Sequence, residues 1–230
     1  MIDKKEIQKR RIMSYFIEAT NKVIEEEGIE AITVRKVADL AGYNSATMYN
    51  YFENLDHLIF FASMKYLKEY AIELPEYIKG AEDSLDKYLR IWKCFCTHSY
   101  NNPKIYQLIF FEKFCDSLRD SIKEYYNIFP EELGEQPEEL LPMLLKQNIP
   151  ERNLPLLKTC AKDGFLQDEY LDEVNEMTLV IYQGMFTRVL KNQVDYSIDV
   201  AVDKTLLYIK KTIEAYGGAL NKCNKTSILI

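Results

Sequence analysis

The chain has 230 residues, enough for one large or two small domains with a sizeable core. Gly and Pro are scarce, at 8 and 7 residues, which favours helices over a turn-rich β fold. The net charge of −7 argues against a uniformly basic polyanion binder, and no apolar run approaches the ~20 residues of a membrane span.

Met1-Ile2-Asp3-Lys4-Lys5 is polar and lacks the apolar core of a signal peptide, so a cytoplasmic protein is expected. Residues 5–27 place Ile12, Phe16, Ala19, Val23 and Ile24 on one helical face, and Gly28 ends that helix. Thr33 can cap a short helix from Val34 to Ala41. Gly42 breaks the chain, and Asn44 can cap a third helix over Ser45–Phe52. Asn54 or Asp56 opens a long helix that reaches Leu74-Pro75. Further helices are expected at 83–101, 104–113, 116–128, 137–147, 151–162, 169–192 and 197–216, separated by Pro, Asn and Gly. No segment alternates as a strand does, so the fold class is all-α. The boundaries read as a three-helix unit at 1–55, a larger helical domain at 56–216 and a loose tail at 217–230.

Charge is unevenly spread along these elements. Lys4, Lys5, Lys9, Arg10 and Arg11 crowd the first turns and Arg35 and Lys36 follow, while acidic residues dominate the later chain. A local basic face can bind DNA even when the rest of the molecule is acidic. The basic run reads equally as a solvated helix face.

The string from Thr33 to Phe52 sets a short helix, a Gly-containing turn and a second short helix within about twenty residues, the size of a helix-turn-helix. Ala38 and Ala41 let the helices approach, Gly42 supplies the positive φ of the turn, and Val37 and Met48 can pack between them. Small polar residues open the second helix, so its N-terminal end can enter a major groove.

The long first helix ending Glu26-Glu27-Gly28, then Ile32-Thr33-Val34, Val37-Ala38, Ala41-Gly42, Thr47-Met48-Tyr49, Tyr51-Phe52 and Leu58, resembles the tetracycline-repressor (TetR) family over about 50 residues. The resemblance implies a homodimer that sets two reading helices in successive major grooves of a near-palindromic operator in double-stranded DNA. It implies that Thr33 caps its helix and touches a phosphate. Ser45, Ala46 and Tyr49 then read bases or the thymine methyl, and Thr47, Asn50 and Tyr51 contact the backbone. Asn44 stands where the family usually has Ser, and Ala46 where Gly is common. Leu55 replaces a Lys, which removes one expected phosphate contact. Tyr49 has packing as its alternative role.

The larger domain is rich in aromatic and sulfur side chains. Trp92, Phe95, Tyr106, Phe110 and Phe114 are candidates for an effector pocket; mutual packing in a core is the competing reading. The segment 169–192 is apolar nearly all round between Met177 and Leu190, so it must pack inward and against something else. Tyr182, Met185 and Val189, with Val202, Leu206 and Ile209 from the last helix, are the candidate dimer interface, by analogy with the four-helix bundle of the family. A large monomeric core is the alternative.

Catalytic signatures are missing. His57 and His98 have no ligand spacing, and there is no phosphate-binding Gly-rich loop and no Gly-x-Ser-x-Gly elbow. Cys94 and Cys96 point about 200° apart on a helix and cannot bridge each other. No enzyme, metal or cofactor is expected. The reading is a transcriptional repressor released by a small apolar or aromatic effector. A DNA-bound architectural or protein-recruiting factor without an effector is the alternative.

Overall fold

A computed structural model describes residues 4–111, 121–146 and 148–217. Among them every regular element is helical. Helix α1 (Lys4–Glu27) is followed by a 3₁₀ turn, then α2 (Val34–Ala41) and α3 (Ser45–Met48). The larger body holds α4 (Leu55–Ile78), α5 (Ser84–Asn101), α6 (Pro103–Phe110), α7 (Ser121–Ile128), α8 (Leu141–Leu144), α9 (Ile149–Lys162), α10 (Leu171–Leu190) and α11 (Ile198–Ala215). Phe114, Cys115 and nearly all of the expected tail lie outside the described residues.

Capping side chains fix most helix starts. Asn54 Oδ1 accepts from the backbone N–H of His57, so Asn54 rather than Asp56 opens α4. Asp83, Asn148 and Ser197 cap α5, α9 and α11 in the same way. One expected helix is much shorter than the periodicity predicts. The helix expected at 137–147 shrinks to Leu141–Leu144, because Pro142 lacks an N–H and is tolerated only in a first turn. Only Ser121–Ile128 of the one expected at 116–128 is described.

The long helix does not stop at Leu74-Pro75. It runs through Pro75 to Ile78. Pro75 has no N–H to offer the carbonyl of Ala71, one turn earlier. That carbonyl accepts from Gln136 Nε2 at 2.7 Å instead, so a side chain distant in sequence replaces the missing bond.

Helix α5 is the centre of the body, packed by α4, α6, α9, α10 and α11. This arrangement corrects the assignment of faces on the last two helices. Tyr182, Met185, Val189, Val202 and Ile209 are buried inside the chain's own core. Tyr182 stacks on Tyr100 of α5 at 5.9 Å. Leu206 is half-buried. The outward side of the pair carries Met177, Val180, Val200, Leu207 and Tyr208. A helix that is apolar all round has two candidate faces, and the aromatic one faces inward because α5 offers aromatic partners there.

Candidate nucleic-acid interface

The helix-turn-helix is assembled by three short-range interactions. Thr33 is extended (φ −136°), and its Oγ1 accepts from Lys36 N–H at 3.2 Å. Its hydroxyl proton therefore stays available to a phosphate oxygen. Gly42 is left-handed (φ +77°), closing α2 with an N–H bond back to the Asp39 carbonyl, and Tyr43 N–H reaches the Ala38 carbonyl at 2.9 Å. Asn44 Oδ1 then accepts from both the N–H and the hydroxyl of Thr47. Val37, Ala38, Met48 and Phe52 are all buried between the helices.

Helix α3 is regular only over Ser45–Met48; the turns at Asn50 and Tyr51 tighten to i→i+3 bonds on Thr47 and Met48. The helix expected to reach Phe52 is thus one regular turn with a tightened end, and Phe52 is anchored by its N–H to the Met48 carbonyl. Of the sequence-predicted contacts, Thr33, Ala46, Tyr49 and Asn50 are exposed, with Tyr49 56% exposed. Ser45, Thr47 and Tyr51 are half-buried. All seven come from one stretch of α2–α3 and its turn. Thr47 donates its hydroxyl proton to Asn44, so a phosphate contact from Thr47 requires that bond to be exchanged. Leu55 begins α4 and packs against the core.

The basic cluster is partly neutralised. Arg10 pairs with Glu131 and lies over the ring of Phe129, and Lys36 pairs with Glu27 at 2.8 Å. Arg35 extends into solvent, with Asp39 no nearer than 4.0 Å.

The sequence reading gave His57 no role beyond excluding a metal site, yet it joins the two parts of the chain. Its ring is buried edge-on against Phe52 at 5.8 Å and Phe61 at 4.6 Å. Nδ1 accepts from the N–H of Glu53, and Nε2 lies 3.9 Å from Glu124 of α7. Burial pushes the imidazole below its ordinary value of 6.5, with Glu124 and Glu53 opposing. The folded chain binds this proton less readily than the unfolded one. Stability from this residue is therefore full above 6.5 and is lost as pH falls through and below that value. Urea midpoints measured on either side of 6.5 should fall on the acid side, and His57→Gln should flatten that dependence. An unchanged slope in the variant would contradict the assignment.

The candidate effector residues pack on one another. Phe95 sits within 6 Å of the rings of Tyr70, Trp92, Tyr106, Phe110 and Tyr182. Trp92 and Phe95 border a small cavity, whereas Tyr106 and Phe110 do not line it. That cavity is also lined by Tyr70, Met143, Arg152 and Asn153 and holds about 20 Å³, room for roughly one water. The sequence reading missed Arg152 and Asn153. The signal was present: Ile149, Arg152, Asn153, Leu157 and Cys160 form the buried stripe of α9, and a charged residue on such a stripe is informative.

Cys94, Cys96 and Cys160 are buried free thiols, and burial raises Cys96 and Cys160 to about 12. They behave as small apolar groups. No group of three potential metal ligands occurs among the described residues, nor any helix long and apolar enough to cross a membrane.

Residues 16–60 match the sequence model of the bacterial regulatory proteins, tetR family. No curated protein sequence matches the chain. Among solved structures, it is similar to the fatty acid degradation regulator FadR from Bacillus halodurans (TM-score 0.55, 17% identity, covering 90% of this chain and 96% of that one). It is also similar to a TetR-like transcriptional regulator from Rhodococcus sp. RHA1 (TM-score 0.51, 12% identity, 86% and 93%). A third is the TetR family transcriptional regulator PfmR from Thermus thermophilus (TM-score 0.50, 15% identity, 85% and 97%). At these identities the likeness is one of fold.

Proposed function

We propose, from the premise that the chain belongs through residues 16–60 to the tetR family of bacterial regulatory proteins and has the regulators' fold, that it is a dimeric repressor released from an operator by a small molecule. DNA-binding regulation is what that family and fold support. The observation that carries the reading is the helix-turn-helix itself, capped at Thr33 and Asn44, turned at Gly42, and displaying Ala46, Tyr49 and Asn50 outward. Residues 1–55 are then the reading unit and 56–216 the effector and dimer unit. Ser45, Ala46 and Tyr49 face bases, and Thr33, Thr47, Asn50 and Tyr51 face the sugar-phosphate backbone.

Two further features support the finer reading. The outward side of α10 and α11 is apolar at Met177, Val180, Val200 and Leu207, and Gly184 lies on the same side of α10 with open space where a Cβ would stand. A side chain there would meet no part of this chain, so the glycine leaves room for a helix of a second copy. The coupling runs along α4. Its first turns hold His57 and Phe61 against Phe52 of the reading unit, and Tyr70, about 20 Å along the helix from His57, lines the cavity. A ligand that prefers one tilt of α4 changes the spacing of two reading helices in a dimer. The tight packing around Phe95 favours the second reading, a DNA-bound factor without an effector, and release of DNA by a ligand separates the two.

Selection from random duplexes tests the function. The expected product is an inverted repeat whose half-sites lie about 34–36 Å apart or a multiple of that. No enriched sequence at moderate salt would overturn it.

A further inference from the structure

We propose that the cavity beside Arg152 receives the carboxylate of an amphipathic ligand whose apolar body lies among Tyr70, Trp92 and Phe95. This rests on the effector reading above and names the ligand's chemical class.

Arg152 is 5% exposed, on the inward stripe of α9. A guanidinium in that position is costly unless it is paired. Its Nε donates to the Lys146 carbonyl at 2.8 Å and its Nη2 to the Leu144 carbonyl at 2.6 Å. Both partners are neutral. The group lies 5.1 Å from the centre of the Phe110 ring, which also offers no full charge. Nη1 is buried and has no acceptor among the described residues. Among the described residues no carboxylate pairs with this cation, and the titratable groups near it are the phenols of Tyr70, Tyr106 and Tyr126. A full positive charge therefore sits in an aromatic core with one edge unanswered.

The neighbouring amide is engaged elsewhere. Asn153 Oδ1 accepts from Trp92 Nε1 at 2.9 Å, and its Nδ2 donates to Asn175 Oδ1 at 2.8 Å. The head-group site thus has one cation, the two N–H bonds of Nη1 and the second N–H of Nη2. That suits a carboxylate. A phosphate brings more charge and more lone pairs than these few N–H bonds satisfy, so burying it there would leave oxygens unpaired. The rest of the lining is apolar or aromatic, which selects an alkyl or aryl body. The free volume of about 20 Å³ is head-sized, so the body must displace wall side chains. Met143, on the four-residue α8, is the wall member best able to yield.

The chain has a single tryptophan, Trp92, so its fluorescence reports this cavity. The test titrates the full chain with dodecanoate and with methyl dodecanoate, then with 4-butylbenzoate and its methyl ester. At least one acid should bind its site roughly tenfold to hundredfold more tightly than its ester, the range of one charged hydrogen bond. The two pairs show whether the body is alkyl or aryl. Arg152→Met, an apolar replacement that buried charges often tolerate, should abolish the preference; Arg152→Lys should keep part of it. Equal affinities of acid and ester in the natural chain, or a preference that survives in Arg152→Met, would overturn the proposal. The natural-chain comparison stands even if a variant fails to fold. Esters that bind as well as acids and release operator DNA would leave the effector reading intact and reject the carboxylate. Operator release by uncharged lipophiles only would do the same.

Discussion

Replacing Phe52 with Ala is expected to destabilise the N-terminal helices by about 3–5 kcal/mol, the usual cost of emptying a large aromatic site. Phe52 is almost fully buried. It meets Phe16 of α1 edge-on at 6.2 Å, Phe61 of α4 at 5.8 Å and His57 at 5.8 Å. It follows the tightened end of α3, so it ties the reading helix to both long helices around it. No neighbouring side chain is placed to refill the space, because these rings already hold one another edge to face. Thermal unfolding followed by circular dichroism should show the loss, and duplex binding should disappear with it. A variant within about 1 kcal/mol of the natural chain would mean that the three-helix core closes without this ring.

The second large effect concerns assembly. Val180→Asp combined with Leu207→Asp should turn a dimer into monomers and weaken operator binding by roughly a hundredfold or more, because the two reading units are no longer linked. Val180 is 62% exposed and Leu207 47% exposed in the single chain, so carboxylates there leave its own core untouched. Val189→Asp would be a poor test by comparison. Val189 is buried, and a charge there would unfold the helix pair rather than separate two copies. Sedimentation gives the state directly. A natural chain that is monomeric at micromolar concentration, or a double variant that remains dimeric, would contradict the interface.

The residues that read cleanly from sequence were those whose partners are close in the chain. Thr33, Gly42 and Asn44 each act within three or four residues, so cap and turn chemistry predicted them. The all-helical fold followed from periodicity for the same reason. Long-range partners were not legible. Pro75 reads as a helix end until Gln136, sixty-one positions later in the chain, supplies the bond that the proline cannot make. Val180 and Tyr182 are both apolar on one helix, and only the ring of Tyr100 on α5 decides that Tyr182 turns inward. Trp92 and Phe95 were visible as an aromatic cluster, but the charge beside them comes from Arg152 on another helix. Its unpaired nitrogen can be found only once the helices are packed.

The central claim, sequence-specific duplex binding through α2–α3, is tested most directly by one competition measurement. A labelled selected duplex is bound to the natural chain at physiological salt, then displaced by the same duplex unlabelled or by one with both half-sites scrambled. The account predicts a preference of about a thousandfold or more for the intact sites, the usual margin of specific over non-specific binding. It also predicts that Tyr49→Ala, on an exposed side chain of the reading turn, narrows that margin. Equal displacement by the two duplexes would contradict it.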